Sequence, residues 1–297
     1  MYPFLALLSG MIISVMIFVN GSLSGVCGVY TAAVIIHIVG VLFSLLVCIR
    51  QKKLCRLPAA APLWSYTGGL IGVICTIFNT MAYGRISMTS IMALGLLGQT
   101  AASVLIDSFG LLGMQKHPVR RSSLIGIVLS FAGMLVMLLP DSSAPLTGTV
   151  SAAAALSASL LSLAAGVAVV TSRTVNSRFS AHTNPLFGSF INHLSGLPAA
   201  LLTALLLTEK PWSLPVLTAF PFWIYLGGAM GVLVVLLCNI LVSRLSAFRL
   251  TLLSFTGQVT MGFILDLLSG QNLQFRPLLG SAVIIAGILL NLVLENR

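Results

Sequence analysis

The stretch from Trp64 to Gly110, WSYTGGLIGVICTIFNTMAYGRISMTSIMALGLLGQTAASVLIDSFG, returns 159 positions later as Trp223 to Ser269. In register stand Trp64/Trp223, Tyr66/Tyr225, Gly68/Gly227, Gly69/Gly228, Gly72/Gly231, Arg85/Arg244, Ser87/Ser246, Gly98/Gly257, Gln99/Gln258 and Asp107/Asp266. The chain has only three Trp and three Asp, and two of each fall into this register. Apolar composition alone does not align rare residues at one offset, so the chain carries a duplicated unit. With small shifts the duplication extends outward. Asn20 to Ser24 aligns with Asn176 to Ser180, His37 and Gly40 with His193 and Gly196, and Pro118 with Pro277. Gly126/Gly133 and Gly280/Gly287 share one spacing.

The solvent of that unit follows from its chemistry. The chain is 58% hydrophobic and 7% charged, whereas a soluble domain carries roughly 25% charged residues. Runs of about 20 apolar residues, long enough to cross a bilayer as helix, recur throughout. Ten spans are expected, near 3–23, 29–49, 63–84, 88–109 and 122–139, then 149–170, 185–207, 222–243, 247–268 and 277–294. Hydrocarbon forces every backbone group to be satisfied internally, which leaves helices or closed barrels. These runs are too long and too uniformly apolar for barrel strands. The expected fold is therefore an all-α membrane protein. Residues 1–140 form a first five-helix repeat, the turn-rich 141–148 a linker, and 149–297 a second five-helix repeat.

Charge placement gives the orientation. With the N-terminus inside, the inner segments hold Arg50, Lys52, Lys53, Arg56, Lys116, Arg120, Arg121, Arg173, Arg178, Arg244, Arg249 and Arg297, while Arg85, Lys210 and Arg276 lie outside. The positive-inside rule then sets both termini in the cytoplasm, and an odd number of spans per half makes the repeats inverted. The +10 net charge sits in short clusters between apolar runs, not on the single stripe that nucleic-acid binding needs. No nucleic-acid partner is expected. The five cysteines form no C-x-x-C pair and read as apolar packing residues, with no metal site. The N-terminal run is too long for a cleaved leader and reads as a first span.

A few residues interrupt the apolar spans. Gly68 and Gly72, like Gly227 and Gly231, stand one helical turn apart and permit close helix packing. Asn79 returns to nearly the same face seven residues after Gly72; in the second half Cys238 takes its place and Asn239 follows. Gln99 and Gln258 fall mid-span, where an amide needs either a neighbouring helix or a ligand, and Ser103 and Asp107 continue the Gln99 stripe at steps of four. Isolated interhelical hydrogen bonds average only about 0.6 kcal/mol, which favours a cavity over a clamp. His37 and His193 are also mid-span, read either as buried neutral packing residues or as members of a proton pathway. Asp107 and Asp266 are the only acids within spans. They fit either pairing with nearby bases, which fixes helix ends, or a gating or cation-coupling role at opposite mouths. No metalloprotease, nucleophile-elbow, P-loop or dinucleotide signature is present, so neither an enzyme nor a cofactor is expected.

At YTGGLIGVICTIFNTMAYGRIS and LGLLGQTAASVLIDSFGLLG the chain resembles the YdcZ-like family of the drug/metabolite transporter superfamily. The resemblance rests on G-G-x-x-G, the Gly98–Gln99 and Gly257–Gln258 steps, and I-D-x-F-G-L-x-G from Ile106 to Gly113; the second half departs at Ile264 to Gly270. It implies a ten-helix carrier in the bacterial inner membrane with a cavity between halves. The embedded glutamate of the superfamily's small multidrug pumps has no counterpart in the first span, which argues against proton-coupled export of organic cations. The expectation is a secondary transporter of a small polar or amphipathic solute, with Asn79, Gln99, Gln258, His37 and His193 lining the cavity and Asp107 and Asp266 at its mouths. A gradient of protons or cations, or exchange, supplies the energy in this reading, and a homodimer is compatible with it. The alternatives are a non-transporting membrane scaffold or sensor, and a flippase for a lipid precursor.

Overall fold

The computed structural model describes residues 1–54, 57, 61–86, 88–116, 121–138, 151–208, 220–268 and seven positions between 279 and 290. The expected linker 141–148 lies outside the described residues, as do Arg56, Arg120, Lys210, Arg276 and Arg297. Nine α-helices run through the described residues: α1 (Tyr2–Cys27), α2 (Val29–Arg50), α3 (Gly68–Ala82), α4 (Met88–Phe109), α5 (Arg121–Leu138), α6 (Ala152–Ala181), α7 (Pro185–Leu207), α8 (Gly227–Leu241) and α9 (Ala247–Leu268). Tight 3-10 turns lead into α3 and α8, at Leu63–Thr67 and Phe222–Leu226. Eight helical segments are long and apolar enough to cross a membrane. The span expected at 277–294 is largely outside the described residues, with helical backbone at 279–280, 282–283, 286–287 and 290.

Local sequence explains the breaks between helices. Gly28 alone separates α1 from α2; at φ 83° it holds a backbone geometry that L side chains disfavour, and its N–H closes α1 on Ser24 O at 2.8 Å. Asn184 begins α7 by accepting the Phe187 N–H at 2.9 Å, with Pro185 at the first helical position, where a missing N–H costs nothing. Ser151 caps α6 in the same way through Ala154 N–H. The helix at the span expected at 149–170 begins at Ala152 and runs well past residue 170. α6 is 30 residues long and reaches Ala181, because the polar stretch after Val170 packs against protein rather than lipid.

The helices interdigitate across the two copies of the repeat. Among the described residues the most extensive pairings all join a helix before residue 140 to one after it: α1 with α9, α3 with α6, α4 with α6, α2 with α7 and α4 with α9. α1 and α9 run parallel, since Ser9 meets Ser254 at 3.2 Å and Ser14 donates to Gln258 O at 2.7 Å. Sequence counterparts, by contrast, cross antiparallel. In the α4–α9 pair Ser103 meets Thr251 at 2.7 Å while Asp107 reaches Ala247 N–H. In the α2–α7 pair Gly40 faces His193 and Gly196 faces His37. The contacts also obey the repeat pairwise: a Cβ on Gly98 would strike Leu163 O and one on Gly166 would strike Gly95 O, while Gly257 and Gly10 stand in the same relation to Leu7 O and Ser254 O. At these crossings backbone touches backbone. Helix association in lipid lacks a hydrophobic drive and relies on such close packing.

Large apolar side chains left exposed trace the outer faces. Ile38, Leu42, Leu46 and Ile49 recur along α2 at helical spacing, and Leu194, Leu202, Leu205 and Leu206 along α7. The partly exposed Trp64 and Trp223 ride on the two 3-10 turns.

Candidate functional site

Polar side chains collect inside the bundle in three groups. The first is the α2–α7 crossing. His37 and His193 are both 4% exposed and stand with ring centroids 5.8 Å apart. Each Nδ1 lies on a carbonyl of its own helix, Ala33 O at 2.8 Å and Ser189 O at 3.0 Å. A carbonyl only accepts, so both Nδ1 atoms carry hydrogen and the Nε2 atoms are the available acceptors of the neutral rings. Each ring fits against the glycine of the opposite helix, which is why Gly40 and Gly196 accompany the histidines.

The second group is the repeated glutamine of α4 and α9, with Gln99 beside the α4–α6 crossing and Gln258 beside the α1–α9 crossing. Gln99 and Gln258 are 4% and 2% exposed. Gln99 Oε1 and Gln258 Nε2, with the neighbouring Thr100 Oγ1, are enclosed without a hydrogen-bond partner. Leaving a buried polar atom unpaired costs about 1–3 kcal/mol. Packing alone gives no reason to keep two such amides.

The third group joins α6 and α7 to the glycine-rich start of α3. Asn176 Nδ2 donates to Asn192 Oδ1 at 2.8 Å and to Ser172 Oγ at 3.2 Å, and Ser172 Oγ donates to Gly68 O at 2.8 Å. A Cβ at Gly68 would strike the Asn176 side chain, and one at Gly69 the Asn192 carbonyl; at Gly72 it would meet nothing nearer than 3.7 Å. The counterparts Gly227 and Gly228 abut Asn20 and Ile36 O in the same way, and a Cβ at Gly231 would stand 3.1 Å from His193 Nε2. Asn79, on α3, is half-buried, with Nδ2 on Cys75 Sγ of its own helix at 3.3 Å. Asn239 is buried and donates to Pro185 O at 3.1 Å.

The two aspartates stand at helix ends. Asp107 is 3% exposed; Oδ1 accepts from Ala247 N–H at 3.1 Å and Oδ2 from Phe248 N–H at 2.8 Å. The carboxylate thus caps the first turn of α9, where two backbone donors would otherwise be orphaned and the helix dipole favours negative charge. Asp266 is buried at the corresponding end of α9.

One buried charge belongs to none of the expected positions. Arg173, assigned by its neighbours to an inner loop, is 5% exposed within α6. Its Nη2 donates to Ala247 O at 3.0 Å, to Thr251 Oγ1, and at 3.4 Å to Ser103 Oγ. The Asp107 charge lies within electrostatic reach. Among the described residues no three His, Cys, Asp or Glu side chains converge as a metal site.

Membrane-length helices with outward apolar faces and buried amides, imidazoles and one guanidinium define an integral membrane protein with a polar interior. A family model described as "Putative inner membrane exporter, YdcZ" matches residues 1–136 and 157–290; the chain belongs to that family, whose description is that of a transporter. A solved structure titled "Crystal structure of protein" shares the fold, with TM-score 0.68 and 19% identity over 100% of this chain and 96% of that one. No curated protein matches the chain.

Proposed function

We propose that this protein is a secondary transporter that moves a small polar or amphipathic solute across the inner membrane by alternating access between two inverted five-helix units, with both termini cytoplasmic. Support for inversion comes from the antiparallel crossings of counterpart helices, α2 on α7 and α4 on α9. The observation that carries the transport reading is the pair of partnerless amide atoms, Gln99 Oε1 and Gln258 Nε2, at matching positions of the two copies. A solute that hydrogen-bonds to them recovers the desolvation that the closed protein leaves uncompensated. His37 and His193 offer further acceptors on the α2–α7 crossing, and Asn79 extends the polar lining along α3. Asp107 and Asp266 act as gates in this scheme: each opening breaks the contacts of one carboxylate at its helix end, and a proton or cation that neutralises it lowers the barrier.

Purified protein in liposomes should show saturable flux of at least one member of a broad metabolite panel. Gln99→Leu and Gln258→Leu should each lower that flux at least tenfold while the protein still folds. Unchanged flux in both folded variants would remove the amides from the pathway, and no saturable flux from wild-type protein would sink the reading.

A further inference from the structure

We propose that Arg173 is an anion-recognising residue on the transport pathway, and that the solute carries a carboxylate. The inference rests on the transporter reading above. It begins from a comparison that the duplication makes possible. Through the repeat, Arg173, Ala247, Thr251 and Ser103 correspond to Ile17, Met88, Met92 and Gly262. Ile17, Met88 and Met92 pack together in one apolar cluster with Ile13, and a Cβ at Gly262 would stand 3.7 Å from the Met92 side chain. The same junction of helices is therefore built twice, once dry and apolar and once around a guanidinium. The apolar version shows that the architecture closes without a charge. A buried arginine costs several kcal/mol of desolvation, so a purely structural Arg173 would be a liability that its counterpart avoids.

The hydrogen bonding of Arg173 fits a ligand role. Its described bonds all fall on Nη2, while Nε is enclosed and has no partner. A guanidinium presents its donors as a rigid fork matched to a planar oxyanion. Asp107 balances the charge, yet both of its oxygens are engaged by the α9 N–H groups rather than turned wholly to the arginine. That leaves Arg173 a charge held in place by α4 and α9, with donor capacity to spare. Its level is also suitable: Arg173 is seven residues, about 10 Å, beyond the Gly166 crossing along α6. At 5% exposure among α4, α6 and α9 it is turned away from the lipid face, which selects a free solute over a lipid headgroup.

The test compares isosteric pairs in neutral detergent, benzoate with benzamide and 3-phenylpropionate with its amide, read as ligand-dependent thermal stabilisation. Wild-type protein should be stabilised by the carboxylates and not by the amides. Arg173→Gln should bind the carboxylates about ten- to hundredfold more weakly, the loss expected for a charged hydrogen-bonded contact. Arg173→Lys keeps the charge without the fork and should fall between; it serves if the glutamine variant does not fold. Equal stabilisation by acid and amide, no stabilisation by either acid, or full stabilisation of a folded Arg173→Gln variant overturns the proposal. So does stabilisation by phosphatidylserine micelles in place of the free acids. In liposomes, wild-type flux of a neutral solute that persists in Arg173→Gln overturns this inference and leaves the transporter reading standing.

Discussion

Of the three glycines in each G-G-x-x-G stretch, only the second is in backbone contact with a neighbouring helix, and this yields a sharp mutational contrast. Alanine at Gly69 would place its Cβ against Asn192 O and Ser195 Oγ, with Gly196 N at 2.6 Å, where ordinary contact begins at 3.4 Å. Backbone atoms have no rotamer to change, so α7 must retreat from α3 by at least 0.8 Å. That shift of α7 also disturbs the Asn176–Asn192 bond between α6 and α7, and overpacking of this kind costs about 1–3 kcal/mol. Alanine at Gly72 meets Asn192 Oδ1 and Ser172 Oγ at 3.7 Å, ordinary van der Waals contact. It should therefore change stability by less than about 0.5 kcal/mol. The second copy repeats the experiment, since alanine at Gly228 would strike Ile36 O and stand 2.7 Å from Gly40 N, while at Gly231 it meets one histidine nitrogen at 3.1 Å. The assay is equilibrium unfolding in mixed detergent micelles, followed by tryptophan fluorescence. Gly69→Ala and Gly228→Ala should lose stability, and Gly72→Ala should not. Equal behaviour of Gly69→Ala and Gly72→Ala would refute the assignment of the close approach to the second glycine.

The Asp107 cap should show graded losses. Asp107→Asn keeps one acceptor and should cost about 1–2 kcal/mol, whereas Asp107→Ala strands both the Ala247 and Phe248 N–H groups and should cost about 2–5 kcal/mol by the same unfolding assay. At Gly28, where φ is 83°, alanine should cost about 1–2 kcal/mol although a Cβ there meets nothing within 4 Å; an unchanged midpoint would show that backbone strain is absent.

Much of this arrangement is readable from the duplication. The register at 159 positions picks out Gly98/Gly257 and Gln99/Gln258, which stand at crossings, and the shifted register picks out His37/His193, whose rings meet. What it hides is whatever the copies do not share. Asn192 and Ser172 complete the α6–α7 network, but their counterparts are Ile36 and Met16, so matching by repeat passes over them. Arg173 escapes for a different reason. A transfer-scale window ends the span where polar residues begin, yet α6 continues because protein, not lipid, surrounds its last turns. The signal was present in Arg173 standing one turn before the repeated Asn176. Asp107 also reaches the N–H groups of Ala247 and Phe248, a helix 140 positions away, contacts that no local pattern reports.

Because each copy of the repeat finds its main packing partners in the other, neither is a self-sufficient body. A gene cut between Leu138 and Ser151 would yield two fragments, each with its glycine notches facing lipid and its amides unmatched. Expressed singly, such fragments should be degraded; expressed together, they should reassemble into one complex. The halves are units of ancestry rather than of folding.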